Sequence, residues 1–197
     1  MNKIFKKQNG LTMIELLTVM SIIIILTSVV FGNYKIGNNT QALDRAAQKL
    51  AQDFRRVNEM SVSGQAMDST INAYGIYFDK TTTPNSKLYI VYKNNKNVSN
   101  YTYSSSDSDV IAETIDIERG VKICDILDRI TTPASESSAD TASVSFVPPE
   151  PVVYMDADYT NHETVIKLGI ESDNCVSTAK FKYIKINHVG RVDVANQ

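Results

Sequence analysis

The chain contains no tryptophan, and only two histidines and two cysteines in 197 residues. His162 and His188 stand apart from any nucleophile motif. There is no Gly-x-Ser-x-Gly, no His-Glu-x-x-His and no glycine-rich phosphate loop after a strand, so no catalytic constellation and no resident cofactor is expected. The two cysteines, Cys124 and Cys175, leave two readings open: one disulfide, or two buried thiols. An excess of charge of either sign is also missing. Twenty Lys and Arg face 22 Asp and Glu, a net charge of -2, which argues against a partner held by bulk charge, nucleic acid above all, and suits a soluble surface. No internal repeat is present.

What the sequence does have is one long apolar run, Leu11 to Phe31, of about 21 residues. At about 1.5 Å per helical residue it is roughly 31 Å long, enough to span a bilayer. Lys3, Lys6 and Lys7 crowd its N-terminal flank, while Lys35 is the only basic residue beyond it before Arg45, so the N terminus is expected inside and the bulk outside. The cysteines then lie where a disulfide is permissible. The run carries one charge, Glu15, and a carboxylate in such a segment costs on the order of 2.5 to 3.5 kcal/mol, which calls for a partner or a function.

An ordinary signal peptide fits poorly, because its apolar stretch is only about 7 to 15 residues and is followed by a small-x-small site that Thr27 to Tyr34 does not offer. A plain signal anchor explains the length and the lysines but gives no reason for Gly10 or Glu15. Lys6-Lys7-Gln8-Asn9-Gly10 followed by Leu11-Thr12-Met13-Ile14-Glu15 explains both, and it resembles the cleavage and methylation signature of type IV prepilins and type II secretion pseudopilins. The resemblance implies a leader ending at Gly10, a cut between Gly10 and Leu11 by the prepilin peptidase, N-methylation of Leu11, and Glu15 as fifth residue of the mature chain. Leu11 stands where the family more often has Phe, and Ile24 and Gly32 stand where it often has Gly and Pro. Loss of the leader would take three lysines with it and move the net charge from -2 to -5.

Cleavage would also give the carboxylate a partner. In a filament of such subunits Glu15 of one can meet the new α-amine at Leu11 of its neighbour, and pairing makes both charges tolerable in an apolar core. A local role is open beside it, since Thr12-Met13-Ile14-Glu15 reads as a capping box at a helix start.

Gly32 to Asn39 has two glycines and three asparagines and is expected to be a soft joint. Beyond it Leu43, Ala46, Ala47, Leu50, Phe54, Val57 and Met60 recur at helical spacing, with Ser63-Gly64 as a plausible end. After Gly64 the pattern turns to period two: Tyr74, Ile76 and Phe78; Leu88, Ile90 and Tyr92; Ile115 and Ile117; Ile166, Leu168 and Ile170; Val192 and Val194. Turns are expected at Asp79 to Ser86, Tyr103 to Asp109 and Ser172 to Thr178, and Thr131 to Ser143 reads as a mobile loop. The expectation is an α+β, pilin-like fold: a leader at 1–10, a transmembrane or filament-core helix at 11–36, an amphipathic helix at 37–64, and a globular domain with an antiparallel β-sheet at 65–197.

Weaker features remain. The closing Lys185 to Val192 resembles the Gly-Arg hairpin of H-type minor pseudopilins. Asp156 and Asp158, with Asn161 and Glu163, offer oxygen ligands for calcium, without the EF-hand spacing. Lys180, Lys182, Lys185 and Arg191 offer a basic patch for DNA, but Asp193 holds the position where DNA-binding minor pilins of similar type carry a second Arg. Three sequons, at Asn38, Asn97 and Asn100, carry little by themselves. The reading is a structural filament subunit with the prepilin peptidase and methylase, an assembly platform and sibling pilins as partners, stored in the cytoplasmic membrane before assembly. The alternatives are a DNA-uptake minor pilin and a tethered surface domain that never polymerises.

Overall fold

A computed structural model describes residues 12–63, 71–81, 85–95, 101–107, 109–131, 134–148, 152–155, 162–176 and 180–196. The chain divides into two compact units, 1–38 and 39–197. One helix, α1 (Met13–Val62), contributes to both. It does not break at Gly32 to Asn39, where a soft joint was expected. A glycine costs a helix only about 1 kcal/mol, and the backbone hydrogen bonds continue through the segment.

Within the second unit, α1 buries the face that the spacing predicts: Leu43, Ala46, Ala47, Leu50, Phe54 and Val57 are buried, and Met60 is half-buried. Among the described residues ten strands follow, in two antiparallel sheets. The first runs in the order β3 (Val110–Asp116), β2 (Leu88–Asn95), β1 (Ile71–Asp79), β6 (Thr141–Val147), β7 (Val152–Met155). The second runs β10 (Val192–Asn196), β9 (Phe181–Asn187), β8 (His162–Ile170), β4 (Val121–Thr131), β5 (Ala134–Ala139). Both sheets and the helix share one core, in which Phe54 lies 5.7 Å from Phe78 and Phe78 lies 5.8 Å from Tyr89. Each such fully buried side chain contributes about 1.5 to 3 kcal/mol. The result is an α+β, pilin-like arrangement.

Polar groups fasten helix to sheet. The Ser61 hydroxyl donates to the Phe146 carbonyl at 2.6 Å, and the Tyr89 hydroxyl donates to Asp53 at 2.5 Å. Burial and that carboxylate together push the Tyr89 phenol well above its ordinary range. Arg56 reaches Glu113 at 2.8 Å, and Arg45 reaches Glu118 at 3.1 Å. The two sheets are tied by Lys80, whose ammonium donates to Asp125 Oδ1 and to Ser138 Oγ, both at 2.6 Å, while Ser138 Oγ donates to the same Asp125 oxygen at 2.7 Å. Burial disfavours the Asp125 charge, but the hydrogen bonds from Lys80 and Ser138 outweigh it and hold the carboxyl below its usual range.

Two sequence expectations need correction. The described residues between Thr131 and Ser143 are not a loop: β5 pairs with β4 from Ile126–Ala139 to Thr131–Ala134, and β6 begins at Thr141. Composition misleads there because β5 is an edge strand of Ala, Ser and Glu, which needs no large apolar face of its own. On β2 the phase is inverted, for Tyr89 and Val91 are buried in the core, while Leu88 and Ile90 lie half-buried on the opposite face. The run Leu88 to Tyr92 is apolar on both faces, so alternation cannot choose between them. That opposite face is itself covered. Tyr103 stacks beside Tyr77 and Tyr92 at 4.8 and 5.2 Å, and Tyr92, fully buried, donates its hydroxyl to the Tyr101 carbonyl at 2.8 Å. Gly75 makes the room, because a Cβ there would stand 2.5 Å from the Tyr92 ring.

Candidate functional site at the helix start

The helix begins with a closed polar clasp. Thr12 donates its backbone N–H and its hydroxyl to Glu15 Oε2, each at 2.9 Å, while Thr12 Oγ1 accepts the Glu15 N–H at 3.3 Å. This is the reciprocal capping box that the spacing of Thr12 and Glu15 allows, and it places a carboxylate at the positive end of the helix dipole.

Beyond the clasp, the side chains from Met13 to Val29 are exposed all round the helix, with Met13 84%, Ile24 68% and Val29 59% accessible. An apolar surface on every side of a helix calls for a lipid or protein environment. The hydroxyls in this stretch are already satisfied within the helix. Thr18 donates to Glu15 O, Ser21 to Leu17 O, Thr27 to Ile23 O and Ser28 to Ile25 O, at 2.6 to 2.9 Å. Hydroxyls turned back on their own backbone suit a medium without water. Among the described residues no helix is long and apolar enough to cross a membrane. The apolar stretch with described side chains, 13–29, is about 17 residues and roughly 25 Å, short of the roughly 30 Å a bilayer core requires. Leu11, Val30 and Phe31, which complete the sequence run, are outside that description.

Residues 5–31 match the prokaryotic N-terminal methylation motif. The match supports a prepilin-peptidase substrate of the type IV pilin and pseudopilin kind. It is confined to the N-terminal segment. Neither the comparison with curated proteins nor that with solved structures gives a match.

The expected site residues divide as follows. Gly10 and Leu11, the proposed cut, lie outside the described residues, as do Asp156 and Asp158; among the described residues no group of acidic, His or Cys side chains could hold a metal. Cys124 and Cys175 are joined in a disulfide, with Cα atoms 5.5 Å apart. The basic residues near the C terminus do not assemble into one patch. Lys182 and Lys185 are three apart on β9 and so face opposite ways, Lys182 bonds to Asp44 at 2.5 Å and also to Asn196, and Arg191 bonds to Asp193 at 2.9 Å. His188 sits in the β9–β10 turn, where Gly190 adopts φ 77° and Asn187 Oδ1 accepts the Arg191 N–H at 2.9 Å. His162 lies 3.0 Å from Asp128. Sequence reasoning missed the Lys80, Asp125 and Ser138 triangle and the tyrosine cover of the first sheet. Lys80 lies 45 and 58 positions from Asp125 and Ser138, and Tyr77 lies 26 from Tyr103, so no local spacing signals these contacts.

Proposed function

We propose that this chain is a filament subunit of a type IV pilus or a type II secretion pseudopilus. It is made as a membrane-held precursor, cut between Gly10 and Leu11, N-methylated on Leu11, and packed with sibling subunits through its N-terminal helix. The observation that carries this reading is the coincidence, in one segment, of the methylation motif with a capped helix whose described side chains are apolar and exposed all round. Because lipid tails are as apolar as these side chains, what favours assembly there is close van der Waals packing of the helices against one another and the pairing of polar groups between them. Glu15 adds register: once Leu11 carries a free amine, a carboxylate four residues along the next helix is its nearest chemical match, and a mispaired stagger would leave both charges alone in an apolar core.

Intact-mass and N-terminal peptide mass spectrometry of protein from its native membrane tests the reading. A chain beginning at N-methylated Leu11 is expected, and a chain that still begins at Met1 overturns it. Shearing the same cells and pelleting the supernatant separates a polymer from a tethered domain, because only a polymer yields sedimentable filaments.

A further inference from the structure

We propose that the Cys124–Cys175 disulfide is a redox-sensitive clamp on the turn between β8 and β9, so that reduction frees residues 174–176 while the helix and both sheets keep their structure.

The two ends of the bond stand in unlike surroundings. Cys124 is fixed within the ladder: β4 shifts register against β8 between Ile123 and Asp125, which makes Cys124 the extra residue of a bulge. Its Sγ sits in a notch kept open by Gly169, where a Cβ would stand 2.5 Å from that sulfur and 3.0 Å from the Phe181 ring. Cys175 belongs to the turn. It and Asn174 both adopt left-handed backbone, φ 58° and 48°, a conformation that costs a side-chain-bearing residue of the order of 1 kcal/mol and persists only where something holds it. Asn tolerates that region and Cys does not share the preference; the covalent bond, with the flanking backbone bonds of Asn174 and Val176, keeps Cys175 there.

The neighbouring parts of the turn have other fastenings. Glu171 donates its N–H to the Gly120 carbonyl at 2.8 Å, and its carboxylate takes the Lys87 ammonium at 2.5 Å. Residues 171–173 therefore stay docked with or without the disulfide. Beyond them two long backbone bonds reach back to the docked segment, Asn174 N–H to the Glu171 carbonyl at 3.4 Å and Val176 N–H to the Asp173 carbonyl at 3.2 Å, and these are weak enough to open once the disulfide is gone. The hydrophobic core contains neither cysteine. Both cysteines are half-buried.

The chemistry is thiol–disulfide exchange. A dithiol reductant attacks one sulfur, the other leaves as thiolate, and the second thiol of the reductant resolves the mixed disulfide. The products are two protein thiols and one oxidised reductant. Cys124 then keeps its notch as a thiol, while Cys175 is free to return to negative φ.

The test uses the full chain in detergent micelles, with hydrogen–deuterium exchange followed by mass spectrometry before and after dithiothreitol, and with iodoacetamide labelling to count the thiols. Exchange in peptides covering 174–176 is expected to rise about ten-fold or more on reduction, with β1, β2, β6 and β8 unchanged, and to return on reoxidation. A Cys124→Ala/Cys175→Ala double variant is expected to show the fast turn with or without dithiothreitol. If both thiols label and the turn exchanges as before, or if β4 and β8 open together with it, the clamp is refuted. This outcome is independent of whether the chain forms filaments.

Discussion

Thr12 and Glu15 close on each other through a single carboxylate oxygen, Oε2, which lies 2.9 Å from both Thr12 N and Thr12 Oγ1. Among the described residues Glu15 Oε1 carries no hydrogen bond, so the cap and a charge partner need not compete for the same atom. Two substitutions separate the roles. Glu15→Gln keeps an amide oxygen for the cap but removes the charge. It is expected to remain membrane-inserted while sedimentable filament falls by about ten-fold or more, as the loss of one partner of a desolvated pair would cause. Thr12→Ala removes the cap, about 1 kcal/mol at the helix start, and keeps the charge, so filament yield should stay close to that of the parent. Equal yields from Glu15→Gln and the parent would sink the pairing.

The Lys80–Asp125 link gives the fold an acid-sensitive joint. The folded-state pKa of Asp125 lies below its ordinary value, so the stabilisation is complete above the unfolded value of about 3.9 and disappears as pH falls through the folded one. Asp125→Asn removes this dependence. Thermal melts of the two proteins from pH 7 to pH 3 should show the parent ahead at neutral pH, with the gap narrowing only below about pH 4. A gap that stays constant across the range would mean that the carboxylate's charge does not contribute.

How much of this was legible in the sequence depended on how far apart the cooperating residues are. The helical stripe from Leu43 to Met60 and the Thr12–Glu15 box are spacings of three and four, which backbone geometry fixes locally, and both appear where the spacing put them. The inverted face of β2 was not legible, because Leu88, Tyr89, Ile90, Val91 and Tyr92 offer apolar groups to both sides and the choice falls to the segment around Tyr101 and Tyr103 that covers one of them. The strand at Ala134–Ala139 was hidden for the reverse reason: its pairing is backbone to backbone with β4, and its side chains advertise nothing.

Phe54 tests whether the helix is held to the sheets by packing more than by its surface ion pairs. It is fully buried against Phe78, whereas Arg45–Glu118 is an exposed pair of the kind that contributes about 0.2 to 1 kcal/mol. Phe54→Ala should cost about 3 to 5 kcal/mol in denaturant unfolding of the domain, and Arg45→Ala less than about 1 kcal/mol. Similar losses from both would show that the helix rests on its rim.

Gly169 gives the sharpest steric prediction, because its missing side chain is what admits the Cys124 sulfur. An added methyl would meet Sγ at 2.5 Å and Phe181 at 3.0 Å, and neither can retreat easily, one being bonded to Cys175 and the other being part of the β8–β9 ladder. Gly169→Ala should therefore destabilise the oxidised domain by about 1 to 3 kcal/mol, the usual cost of overpacking a filled site. Reduction frees Cys124 Sγ to rotate away from the new methyl, so the penalty should shrink when the same melts are run with dithiothreitol. A penalty of equal size in both states would place the clash on Phe181 instead of the sulfur, and no penalty in either would mean that the notch is not filled.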